Sequence, residues 1–213
     1  MKKTLHPKPW LLIGILLLCN NAIFSQTSWK GTTSTSWATA SNWSNGVPTS
    51  TVDAIIGDAS FTGGSQPTIG ATAVCKSLTL GGSVASELSV NKNLTVSGNL
   101  IINSNGTIQN GRATITLSGN WSNSGAYSGN SAKSTVIFSG TNQSLGGSVV
   151  STFRKLTINS GSIVTLNQNV TVYGTGNANI LTVNGTLNPN ESPTYQITGS
   201  SRPSVMHILI LLF

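Results

Sequence analysis

From about residue 71 the chain runs in short segments of alternating apolar and polar residues, each broken by Gly, Asn or Ser. Ser77–Leu80 reads SLTL, Leu94–Val96 LTV, Thr114–Leu117 TITL and Thr135–Phe138 TVIF. Lys155–Ile158 reads KLTI, Ile163–Leu166 IVTL, Val170–Tyr173 VTVY and Ile180–Val183 ILTV. Most of them set a Thr between two aliphatics. Successive strand side chains point to opposite faces, so the aliphatics share one side and the Thr takes the other. No helical period survives in this region. A sandwich needs longer strands and tight hairpin signals. A chain wound about an axis needs short strand, turn, short strand. The pattern therefore predicts an all-β chain folded as a parallel β-helix, or β-solenoid.

Internal echoes support the winding. Asn91-Lys92-Asn93-Leu94-Thr95-Val96 returns as Asn167-Gln168-Asn169-Val170-Thr171-Val172. Lys76-Ser77-Leu78-Thr79-Leu80 is echoed by Arg154-Lys155-Leu156-Thr157-Ile158, in the same order along the chain. The expectation is a duplicated block of several coils within residues 71–198. One coil has too little apolar area to fold alone, and stacking joins the aliphatics of successive coils into one narrow core. Leu78, Leu94, Leu156 and Val170 are expected inside. Thr79, Thr95, Thr157, Thr171 and Thr182 are expected outside, in polar rows. At roughly 20–25 residues per coil, the chain after residue 25 has room for about eight coils.

Residues 26–70 differ. Trp29, Trp37 and Trp43 lie close together, Asn45-Gly46 and Val47-Pro48 are turn signals, and Val52, Ala54 and Ile56 alternate as a first regular strand. A solenoid must cover its first rung, and large aromatics can seal an apolar end, so this region reads as a Trp-rich N-terminal cap with the first coil. The competing reading is a platform of indole faces for stacking glycans, with Trp29, Trp37, Trp43 and Trp121 as contacts. Asp53 and Asp58 make a weak cation motif without a third oxygen-rich partner.

Composition narrows the classes. Ser, Thr, Asn and Gly number 31, 27, 22 and 23, about half the chain, and only 7% is charged. The strong helix formers are too sparse for a bundle. With 38% hydrophobic residues in β-type runs, the chain is not a disordered tail. Lys2, Lys3 and Lys8 precede the apolar stretch Trp10–Leu18, the layout of a secretory signal peptide too short to span a bilayer. Residues 1–25 are read as that signal, with cleavage after Ser25. A lipidated Cys19 is the rival, opposed by the bulk of Leu18. No transmembrane helix is expected in the mature chain, and the destination is extracellular or the outer cell surface. The basic residues that remain are scattered, so no nucleic-acid partner is expected. Cys75 is then the one cysteine left, which excludes an intrachain disulfide and reads as a small buried hydrophobe.

Several segments resemble large repetitive cell-surface and adhesin-like proteins exported by the type IX secretion system. Trp29-Lys30-Gly31, Trp37, Asn42-Trp43-Ser44-Asn45-Gly46-Val47-Pro48 and Gln66-Pro67-Thr68-Ile69 resemble their opening. Leu117-Ser118-Gly119-Asn120-Trp121, Val136-Ile137-Phe138-Ser139-Gly140, Gln143-Ser144-Leu145-Gly146-Gly147 and Thr152-Phe153-Arg154-Lys155-Leu156-Thr157-Ile158 are similar to their internal repeat. The resemblance covers residues 26–198 and implies a right-handed parallel β-helix used as a surface stalk or adhesin. Residues 199–213 depart from it. Val205–Phe213 is apolar and lacks the Thr/Asn/Gly rhythm, which is read as truncation or a shifted frame, or else as a cap on the last rung. An open last rung would invite edge-to-edge self-association.

Two functional classes follow. The first is a noncatalytic solenoid displaying a surface, with extracellular glycans or other surfaces as partners. The second is a pectin-lyase-like polysaccharide-degrading enzyme, which needs clustered carboxylates and a base. The only carboxylate side chains are Asp53, Asp58, Glu87 and Glu191. The expectation is therefore no enzyme, no catalytic residues, no cofactor and no metal.

Overall fold

The computed structural model describes residues 25–173, 180–190, 197–201 and 204–207. The expected signal peptide up to residue 24, Glu191, Arg202 and residues 208–213 lie outside the described residues. The chain is an all-β solenoid of three parallel sheets, with one 3-10 turn at Ala40–Asn42 among the described residues. Face one has eight strands, from Gln26–Ser28 to Thr186–Asn188. Face two has six, from Ala73–Cys75 to Leu181–Val183. Face three has eight, from Thr68–Ile69 to Ser204–His207.

Each coil lays one strand in face two, then face one, then face three. Leu94–Val96, Leu100–Ile102 and Gly106–Asn110 make one such coil. Hydrogen bonds from one coil to the next span 21 residues from Asn120 to Asn99, 24 from Ser144 to Asn120, 19 from Ser86 to Asn105 and 26 from Val149 to Asn123. The alternation works as the sequence implies. Leu94 and Val96 are buried while Thr95 between them is exposed, and Leu78, Leu156 and Val170 also point inward. Register then stacks like on like. Ala54, Leu78, Leu100, Trp121, Leu145 and Leu166 form one inward column of face one. Each fully buried aliphatic of such a column contributes about 1.5–3 kcal/mol of hydrophobic stabilisation. The main chain is tied between coils, as by Leu78 N–H to Asn99 O at 2.8 Å and Leu100 N–H to Asn120 O at 2.9 Å.

The core is not wholly apolar. Trp121, Tyr127 and Phe153 meet edge-on or tilted, with ring centroids 4.9 to 5.3 Å apart. Around them Asn110 donates to the Tyr127 hydroxyl at 3.2 Å, and Trp121 Nε1–H and Asn123 Nδ2–H both donate to Ser151 Oγ. Buried polar groups tolerate the interior because they are paired.

Two expectations need correction. Six complete turns contribute to all three faces among the described residues, not about eight, because residues 29–52 are spent on a loop over the first rung. The echoed block also does not occupy equivalent places. Leu94–Val96 lies in face two and Val170–Tyr173 in face three, while Leu78–Leu80 lies in face one and Lys155–Ile158 in face two. Both echoes fall eleven strands later, one short of four turns, so the block is carried round by one face. At the far end, Ser204–His207 pairs antiparallel to Ile197–Ser201, unlike the parallel ladders before it.

Candidate functional site

The four tryptophans offered as glycan contacts are all buried. Trp29, Trp37, Trp43 and Trp121 expose 0%, 3%, 1% and 1% of their surface. No indole face is open for stacking: in place of a platform, Trp29, Trp37 and Trp43 form one packed cluster and Trp121 packs separately against Tyr127 and Phe153. Trp29 and Trp43 meet edge-on at 5.0 Å, and Trp37 and Trp43 at 4.7 Å. Trp29 Nε1–H donates to Ser65 O and Trp43 Nε1–H to Trp37 O, both at 2.8 Å. Asn42 fixes the loop around them. Its Oδ1 accepts the N–H groups of Thr33 and Ser34, and its Nδ2 donates to Ser34 Oγ and Ser36 O, all at 3.0 Å. Trp37 N–H then donates to Thr68 O at 3.1 Å, laying the loop on the edge of face three.

Among the described residues, Asp53 and Asp58 have separate structural partners. Asp53 accepts Ser77 N–H at 3.1 Å and faces Lys76 Nζ at 3.6 Å. Asp58 accepts Ser28 Oγ–H at 2.5 Å and Ser60 N–H at 2.9 Å. Glu87 points outward from Ser86–Val90 on face three. Among the described residues no group of three His, Cys, Asp or Glu side chains could hold a metal ion. Cys75 is fully buried, and burial pushes its thiol up to about 12. Desolvation likewise raises the Tyr127 phenol, partly offset by its bond from Asn110.

The expected Thr rows exist, with a different membership. On face two, Val74, Thr95, Thr116, Ile137, Thr157 and Thr182 stand in register, one per coil. Thr79 belongs to face one and Thr171 to face three. The row is uncharged, every member is β-branched, and at about 4.8 Å per rung it runs for roughly 24 Å. Thr116 was recoverable from the TITL segment. Val74 and Ile137 were not, because they break the Thr rhythm while keeping the outward position. The neighbouring outward row holds Thr114, Thr135 and Lys155. The arrangement offers a flat, methyl- and hydroxyl-bearing strip without ionisable groups along its main row. Such a strip can meet an extended neutral surface, and no member of its main row is ionisable in the ordinary pH range.

No family model matches the chain, and no curated protein and no solved structure matches it. Among the described residues no helix is long and apolar enough to cross a membrane.

Proposed function

We propose that the chain is a noncatalytic β-solenoid of the cell surface or secreted space, acting as a stalk or adhesin that meets neutral glycan surfaces. The observation that carries this reading is the uncharged outward row of face two, held in register by a continuous core. A stack whose coils each grip their neighbours is stiff along its axis, which suits a spacer. The row repeats at a fixed interval, which suits a partner that is itself repetitive. The signal-like N-terminus and the resemblance to proteins exported by the type IX system belong to the same reading.

The test is retention of the purified chain on insoluble cellulose, chitin, xylan and mannan. Wild type is expected in the pellet with at least one polymer. A variant carrying T95K, T116K, T157K and T182K is expected in the supernatant, because four ammonium groups would have to shed water against a neutral surface. Wild type that stays in every supernatant overturns the reading. So does release of unsaturated uronate from pectin by the purified chain, which would assign it to the lyases.

A further inference from the structure

Face one carries a second feature, a groove of about 280 Å³ between the turns of four successive coils. Its walls come from two outward columns. Asn99, Asn120 and Ser144 form one, and Ile101, Ser122 and Gly146 the other. The columns flank the inward column of Leu100, Trp121 and Leu145. Strand geometry sets them about 6.6–6.8 Å apart, with about 4.8 Å between rungs. Gly146 contributes no side chain, so the floor dips there, and Asn167 of the next coil closes the far side.

The two amides are held in a fixed sense. Asn99 Oδ1 accepts Asn120 N–H at 2.9 Å, and Asn120 Oδ1 accepts Ser144 N–H at 2.8 Å. A backbone N–H can only donate, so each side-chain oxygen must face the next coil and each NH₂ group must face away from that bond. Both residues are exposed, and no described protein acceptor takes either Nδ2–H. The turns are stacked closely enough to align them. A Cβ on Gly119 would come within 2.3 Å of the Gly98 carbonyl. The groove thus presents two oriented amide donors one rung apart, two hydroxyls from Ser122 and Ser144, an aliphatic wall at Ile101, and no charge.

We infer that this groove is a binding subsite for a neutral saccharide unit. A donor pair at fixed spacing suits the hydroxyl and ring oxygens of a sugar, and Ile101 suits its C–H face. An anionic sugar would gain no cation here, since only Asn, Ser, Ile, Gly and the buried Trp121 line the site. The inference rests on the glycan-facing reading above but names a different face, different residues and a soluble ligand.

The test uses hexasaccharides of β-1,4-linked glucose, N-acetylglucosamine, xylose and mannose, with hexagalacturonate as the anionic comparison. The readout is NMR of the Asn side-chain NH₂ resonances together with the backbone amides of Ile101, Ser122 and Gly146, which every variant retains, titrated on the full chain up to about 10 mM sugar. At least one neutral hexasaccharide is expected to shift the Asn99 and Asn120 signals, and hexagalacturonate is not. The N99D/N120D variant keeps both acceptor oxygens, hence both coil-to-coil bonds, and loses both donors. It is expected to bind about tenfold more weakly or worse. S122L fills the groove without touching those bonds and is expected to abolish binding. No neutral binder, unaltered binding by N99D/N120D, or unaltered binding by S122L overturns the subsite. Retention on an insoluble polymer without hexasaccharide binding would sink this inference and leave the face-two reading standing.

Discussion

The strongest quantitative consequence concerns the triplet Leu94-Thr95-Val96. Leu94 is fully buried, in register between Ala73 of the preceding coil and Ile115 of the following one. Thr95, one residue on, faces solvent between Val74 and Thr116. Leu94→Ala removes three carbons, a transfer loss of about 2.4 kcal/mol at ~0.8 kcal/mol per group. Ala73 on one side cannot expand into the space, and the parallel ladder prevents the coils from closing up. The residual cavity raises the cost to about 3 kcal/mol or more. For a chain of this size each kcal/mol moves Tm by about 2–4 °C, so L94A is expected to melt about 6–12 °C lower. Thr95→Ala removes an exposed hydroxyl and methyl and is expected within about 0.5 kcal/mol of wild type. The assay is thermal melting followed by far-ultraviolet circular dichroism. Equal melting of L94A and wild type, or a larger loss in T95A than in L94A, would refute the inward and outward assignment on which the fold rests.

Other consequences can be checked with single variants. Trp43→Phe removes the donor to Trp37 O and leaves that carbonyl unpaired, at a cost of about 1–3 kcal/mol in chemical denaturation. Trp37→Phe removes a buried N–H that has no partner, so it is expected to cost less than W43F, and the reverse order would show that the cluster is misassigned. The Cys75 thiol should resist iodoacetamide in the folded chain at pH 8 and react once the chain is denatured; rapid native labelling would contradict its burial. Its folded-state pKa lies near 12 against 9.0 for a free thiol, so above pH 9 the unfolded chain binds fewer protons than the folded one. This group's contribution to stability is therefore constant below about pH 9 and falls as pH rises toward 12, measurable as a lower denaturation midpoint that Cys75→Ala should lessen. Gly147 has φ +125°, and a Cβ there would meet Asn123 O at 2.1 Å, so Gly147→Ala should destabilise by more than Gly64→Ala, whose Cβ would meet open space.

What was legible in the sequence was the local rule. Aliphatics flanking a Thr sort themselves inside and outside with no help from the rest of the chain, so Leu78, Leu94, Leu156 and Val170 were placed correctly from alternation alone. The tryptophans were ambiguous for a physical reason. An indole serves equally as a seal or as a platform, and only the neighbours decide. Here Ser65 and the Asn42-pinned loop close over them. What the strands did not disclose was the face on which each would land. That depends on the length of chain consumed by every turn before it, and coil-to-coil bonds reach 21 residues in one place and 24 in another. The echoed segments show the effect directly, since near-identical strand sequences lie on different faces. A surface written as rows across coils is therefore a property of turn lengths. The Thr row was half visible because Thr recurs in most strands wherever they fall. The amide pair of Asn99 and Asn120 had a signal of its own in the repeated Ser-Gly-Asn at 97–99 and 118–120. A turn tripeptide repeated after one coil length demands that its members stack, and the side chains it carries must then point the same way. Reading turns for recurrence at the coil length, rather than strands for composition, is what would expose such sites in chains of this architecture.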